Sequence, residues 1–270
     1  MQLKLKSFPL AALTAAYAVM WIGGVGHYAL FGGPSQLQAL DAPWAASVFL
    51  TLAGLLVVMT SRGSDLIGLL AAALIGFTAE IIGVRYGFIF SPYHYTDVLQ
   101  PQFLGAPLVM LSAWMVLTSY CRQMLGPLSL PRLIESTLAA MWMTAIDLVI
   151  DPLAANQLGY WRWERPGAYY GIPLQNFVGW LVVSFIIFSV LSWRPPKTPF
   201  EIRIGQKNRT ARYIGLSIVL FFTVIALSYG LAMAGSIGLL LCVAHLALAK
   251  HLMGRLEIPV PAGRNVHRRG

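Results

Sequence analysis

Charge is what this sequence most lacks. Only 11% of its 270 residues are charged, where a water-soluble domain carries roughly 25%. So little charge cannot coat a water-facing surface of this size, and lipid must cover most of it. Cysteine is scarce as well. Cys121 and Cys242 lie within or at the edge of apolar runs and read as small packing residues rather than a disulfide. No CxxC, other zinc spacing or His/Glu zinc motif occurs. The histidines, His27, His94, His245, His251 and His267, are scattered, which argues against the paired ligands of a membrane di-iron oxygenase. Gly24-Val25-Gly26 falls inside an apolar run with no strand before it, so a dinucleotide fingerprint lacks its context, and no phosphate-binding glycine loop exists. An enzyme built from these parts works by acid–base chemistry, with no metal and no cofactor.

What is present is apolar length. A hydrocarbon core of about 30 Å needs roughly 20 apolar residues in helix. Eight such runs occur, at about 9–31, 42–60, 65–84, 103–121, 133–150, 173–193, 211–229 and 231–249. The expected fold is all-α: a polytopic integral membrane helical bundle with about eight transmembrane helices. The last two runs meet at a tight turn between Gly230 and Gly235, so seven is the competing count. The first run follows Lys4 and Lys6; it is long for a signal peptide and is read as a retained helix. Residues 1–255 are expected to form a single transmembrane domain and 256–270 a basic cytoplasmic tail.

The net charge of +9 suits topology better than nucleic acid. Odd-numbered gaps between runs hold only Arg85, Arg162 and Arg165, and the other sixteen of nineteen basic residues fall in the even gaps and the two ends. Gap 194–212 is the densest. Basic residues prefer the cytoplasm, so both termini are expected there, which favours eight helices. For a bacterial chain this means a multi-pass protein of the inner membrane.

Two outer gaps are rich in aromatics, Gly and Pro: RYGFIFSPYHYTDVLQPQ at 85–102 and DPLAANQLGYWRWERPGAYYGI at 151–172. An imperfect tandem repeat of helices 3–4 and 5–6 frames them. Thr78-Ala79-Glu80 parallels Thr144-Ala145-Ile146-Asp147, and GAPLVMLSAW at 105–114 parallels GIPLQNFVGW at 171–180, 66 residues later. Each unit reads as a helix with a carboxylate near its outer end, an aromatic loop, and a Gly-x-Pro entry to a returning helix, where proline's missing N–H costs nothing.

Ionisable residues within a bilayer default to functional candidates. Glu80 lies near the outer end of helix 3, and Asp147 and Asp151, four apart on one helix face, at the outer end of helix 5. Asp151, before Pro152, is also placed to cap a turn. Two carboxyls brought together hold a proton between them more readily than they both ionise, so Asp147, Asp151 and Glu80 are the candidate catalytic residues. Tyr86, Tyr93, Tyr95, Trp161, Trp163, Tyr169, Tyr170 and Trp180 could stack on a polyene or face a cation. An interfacial aromatic belt is the plainer reading. Asn176 could orient a water or simply bond backbone.

The stretch Glu80…Gly83…Gly87-Phe88…Phe90…Tyr93-His94-Tyr95-Thr96…Leu99…Pro101, with Pro107 and Trp114, resembles the first motif of the carotenoid 1',2'-hydratases. Asp147-Leu148-Val149-Ile150-Asp151-Pro152…Gly159…Trp161-Arg162-Trp163…Tyr169-Tyr170-Gly171-Ile172-Pro173-Leu174…Asn176-Phe177…Gly179-Trp180 resembles the second, more specific motif. Together they cover about 77–181. Where the first motif has a Thr-Gly pair and a further Gly, this chain has Tyr86-Gly87, with Ser91 near the second position. The resemblance implies a cofactor-free hydro-lyase that adds water to the terminal C1'–C2' double bond of an acyclic carotenoid end, giving a tertiary alcohol. Family members act on γ-carotene, lycopene-type ends or bacterioruberin precursors. The implied partners are an acyclic or monocyclic carotenoid, water, the bilayer and other carotenoid-synthesis enzymes, with no nucleic acid. Asp147 or Asp151 would donate the proton, and Glu80 or Asn176 would hold the water. A proton-initiated lycopene-type cyclase is the nearest rival, and an isoprenoid or lipid carrier or transporter the next.

Overall fold

Long apolar runs become helices because a helix satisfies its own backbone N–H and C=O groups where lipid cannot. The structure, a computed structural model, describes residues 2–30, 44–61, 63–128, 130–192 and 209–256. Among these residues it has eight helices: α1 (Gln2–Val25, continued by a π turn over Gly26–Leu30), α2 (Trp44–Thr60), α3 (Ser64–Tyr86), α4 (Met110–Leu125), α5 (Arg132–Asn156), α6 (Leu174–Ser192), α7 (Thr210–Ser228) and α8 (Ala232–Leu256). All but α2 and α4 are long and apolar enough to cross a membrane, and α2 is a shorter apolar helix. Ile67, Leu74, Leu240 and Val243 are among many large apolar side chains exposed on the bundle's flanks. Such a surface is stable against lipid rather than water. The chain is an all-α polytopic membrane bundle. Of the basic gap, residues 194–208 lie outside the described residues, as does the tail from 257.

Helix α4 is the pillar. It packs against α2, α3, α5, α7 and α8, and most of its length is buried. That enclosure explains why it tolerates Ser119, Arg122 and Gln123, which a lipid-facing helix of 16 residues would not. It starts later than the hydrophobic run, which begins at 103. Residues 102–107 instead form a hairpin, β2 (Gln102–Phe103) and β3 (Ala106–Pro107). Its turn places Leu104 at φ 55 and Gly105 at φ 88, and two successive residues at positive φ make a tight primed turn that no helix can enter. Helix α5 differs in the other direction. It runs through Pro152 to Asn156, so Asp151 lies inside the helix and caps nothing. Pro152 has no N–H for the carbonyl of Leu148, and the Tyr169 hydroxyl donates to that carbonyl at 2.8 Å.

The tandem repeat is present in the backbone. The turn at Leu104-Gly105 recurs at Tyr170 (φ 49) and Gly171 (φ 81), and the pairing Phe103↔Ala106 recurs as Tyr169↔Ile172, all 66 residues on. The two units, α3–α4 and α5–α6, pack reciprocally: α3 against α4 and α6, α5 against α6 and α4. Equivalent residues meet where the units face each other. Trp114 stacks on Trp180 with ring centroids 4.3 Å apart. Strand β1 (Tyr93–Tyr95) pairs antiparallel with β4 (Trp161–Trp163), matching Tyr95 with its equivalent Trp161. Those contacts mark a local two-fold axis. The Gly-x-Pro elements diverge, since Pro107 sits in β3 while Pro173 directly precedes α6.

Gly76 of α3 lies under the Trp114 ring, which a Cβ there would strike. Gly76→Ala should destabilise the detergent-solubilised protein by about 1–3 kcal/mol through overpacking. Gly23→Ala, with open space around it, should be neutral or stabilising by up to about 1 kcal/mol. Thermal unfolding of the two variants checks the contrast.

Candidate functional site

The site lies where the two units meet, under the β1–β4 ribbon. Side chains alternate across a strand. Tyr93 and Tyr95 of β1, and Trp161 and Trp163 of β4, therefore face the helices, while His94 and Arg162 face away and are exposed. Tyr93 rests 5.0 Å from Trp163 and Tyr95 5.7 Å from Trp161, centroid to centroid.

This aromatic underside supplies hydrogen-bond donors to buried carboxyls. Glu80 of α3 accepts from the Tyr93 hydroxyl at 2.5 Å, the Tyr95 hydroxyl at 2.9 Å and the Trp114 indole at 3.1 Å. Asp151 of α5 accepts from the indoles of Trp161 at 2.8 Å and Trp163 at 3.4 Å, and from the Asn176 amide at 2.6 Å. The same amide nitrogen of Asn176, on α6, also donates to Asp147 at 2.9 Å. An amide carries two such protons, so Asn176 clips the two aspartates together. Glu80, Asp147, Asp151 and Asn176 are each 3% exposed or less. Burying a carboxyl costs several kcal/mol unless it is bonded, and this donor set offsets that cost. Burial, then the adjacent Glu80, pushes the Tyr93 and Tyr95 phenols well above their ordinary range, so both remain protonated donors.

A cavity of about 20 Å³ opens between these groups, lined by Glu80, Phe90, Tyr93, Asp151, Trp161, Trp163, Asn176 and Trp180. That is room for one water. Two carboxyls and an amide bound it, and aromatic rings form the rest of its wall. Asp147 does not line it; it stands behind Asn176.

The candidates from sequence thus divide. Glu80, Asp147, Asp151, Asn176, Tyr93, Tyr95, Trp161, Trp163 and Trp180 gather here. Tyr86 is 74% exposed and stands apart from this buried cluster. Tyr169 and Tyr170 hold neighbouring structure: Tyr169 bonds the Leu148 carbonyl, and the Tyr170 hydroxyl accepts from the Met233 N–H at 3.0 Å, tying the loop to α8. Trp114 and Phe90 belong to the site although sequence reading gave neither a role. The 66-residue match of Trp114 to Trp180 was the signal for the first. Phe90's signal was its place in the first resembled motif; it is buried over Gly83 and Gly179, whose missing side chains leave room for its ring. Ser91, near the position where the resembled motif has Gly, keeps φ 79, a conformation natural to glycine.

The family described as "Carotenoid biosynthesis protein" matches residues 44–245. A bisanhydrobacterioruberin hydratase of Haloarcula japonica is 32% identical over 153 residues, covering 51% of this chain and 48% of that protein, so the match takes in about half the relative's length. No solved structure matches. The matched span 44–245 contains both units of the repeat, the ribbon and all three buried carboxyls, and the chain belongs to the carotenoid biosynthesis protein family.

Proposed function

We propose that this protein is a carotenoid hydratase that adds water across the terminal C1'–C2' double bond of an acyclic end group, giving a tertiary alcohol at C1'. The observation that carries the reading is the one-water cavity between Glu80 and Asp151. The hydratase activity named for the Haloarcula relative supports it. In this reading Asp151, the aspartate that faces the cavity, gives its proton to C2'. The cation left at C1' faces the rings of Trp163, Trp180 and Tyr93, each contact contributing roughly 0.5–2 kcal/mol. Water held by Glu80 and Asn176 adds to C1' and passes its proton to Glu80. Once the product has left, the water that refills the cavity carries that proton back to Asp151 and closes the cycle. General acid–base catalysis contributes about 10²–10⁴-fold, and the fixed rings and dipoles around the cation supply much of the remainder. No cofactor enters.

The cavity as it stands admits water alone. The end group enters by displacing Phe90, which rides on the short 87–92 segment rather than on a helix. A long linear carotenoid is comparable to the hydrocarbon core of about 30 Å, so its end reaches the interface where these residues lie. Cytoplasmic termini, an inner-membrane location and neighbouring carotenoid-synthesis enzymes complete the proposal. A cyclase would trap the same cation with an internal alkene, for which a dry apolar pocket suffices; the polar lining of this cavity favours water.

Expressed in bacteria that accumulate lycopene or γ-carotene, the chain should yield a pigment heavier by one water with its polyene absorption unchanged. A product of unchanged mass and shifted spectrum would assign a cyclase instead. Asp151→Asn and Glu80→Gln should each lower turnover by about 10³-fold while inserting normally. Asp147→Asn, one residue removed from the cavity, should cost about tenfold. Equal losses for all three would erase the distinction drawn between Asp147 and Asp151.

Asn176→Leu should destabilise the protein by about 1–3 kcal/mol, since it strips a donor from two buried carboxyls. Adding Asp147→Asn should recover part of that loss. A double-mutant cycle on thermal unfolding reads the coupling; simple additivity would mean that Asn176 does not bridge the pair.

A further inference from the structure

A second, larger cavity shares the same two tryptophans. It measures about 500 Å³, and its walls include Asn156, Gln157 and Arg162 together with Trp161 and Trp163, which also wall the small cavity. The ribbon's hydrogen-bond pattern fixes what faces it. Thr96 N–H donates to the Tyr160 carbonyl and Glu164 N–H to the Pro92 carbonyl, both at 3.0 Å. In an antiparallel ladder, bonded residues alternate with residues whose N–H and C=O point outward. Tyr160, Arg162 and Glu164 therefore bond β1, and the backbone groups of Trp161 and Trp163 point to the opposite edge. No further strand covers that edge among the described residues. Backbone groups left unpaired at a cavity wall take their hydrogen bonds from water.

We propose that this chamber is the water supply of the reaction cavity, with Trp161 and Trp163 as the partition through which single waters pass. The inference rests on the hydration reading above. An apolar substrate arriving from lipid brings no water, and the reaction cavity holds room for about one, so each turnover draws on a reservoir. Both indoles hang from the same Asp151 oxygen, which ties the partition to the group that gives up its proton.

The test uses Ala155→Cys, at the chamber wall and outside the catalytic set, in a full chain carrying Cys121→Ala and Cys242→Ala. A membrane-impermeant maleimide added from the loop side should label position 155, and turnover should then fall by about tenfold with KM for the carotenoid unchanged. Before labelling, the variant should match the parent. Ala155→Trp in the native background, which fills the chamber without chemistry, should show the same selective loss. Failure of Ala155→Cys to label overturns the proposal whatever the activity, and so does full labelling with unchanged turnover. Absence of hydrated product from the unsubstituted chain sinks the hydration reading instead, and labelling would then still show the chamber open to water.

Discussion

A carboxyl group inside a membrane-spanning bundle is tolerable only if other groups satisfy it, and this architecture is arranged around three of them. Helices cannot supply the donors themselves, because their backbone N–H groups are already engaged. The donors come instead from indoles, phenols and one amide. The long aromatic loops bring most of them, and loops at membrane depth are stable only when buried against protein. That requirement accounts for the β1–β4 ribbon: pairing the two loops settles their backbones and turns four aromatic side chains toward Glu80 and Asp151. It also accounts for α4, whose Trp114 indole reaches Glu80 from below and whose burial shields the site from lipid.

The two-fold relation between the units places the cluster of carboxyls, and the departures from symmetry make its two halves differ. The turns at Leu104-Gly105 and Tyr170-Gly171 and the Trp114–Trp180 stack obey the relation. The acids do not. One unit offers a lone Glu80 with three donors, while the other offers Asp147 and Asp151 joined through Asn176. Two unlike acid clusters thus arise from duplicated scaffolding with unequal decoration.

The membrane class, the helix count and the repeat were legible because they rest on run length, basic-residue placement and spacing, all of which survive in a bare sequence. Glu80, Asp147 and Asp151 were legible for the same reason, as charges where charge is costly. Helix limits were less so. Hydrophobicity continues through residues 103–109, and only the paired positive-φ residues turn them into a hairpin; at the other loop, Pro152 looks like a stop until Tyr169 relieves the carbonyl it leaves exposed. Which aspartate borders the cavity was hidden, since a spacing of four shows only that two groups share a face. Tyr86 is the opposite case: composition groups it with the aromatic cluster, but on the last turn of α3 its side chain is exposed.

Every donor to these carboxyls lies later in the chain than the acid it serves: Tyr93, Tyr95 and Trp114 follow Glu80, and Trp161, Trp163 and Asn176 follow Asp147 and Asp151. During synthesis each acid therefore meets the insertion machinery alone. At the centre of a lone helix an Asp costs about 2.5–3.5 kcal/mol, and these residues avoid the worst of it by sitting within the last three turns of α3 and α5. The nascent helices carry their acids toward one end, and the site comes into being only once the second aromatic loop has folded back on the first and α6 has brought Asn176 against the aspartates.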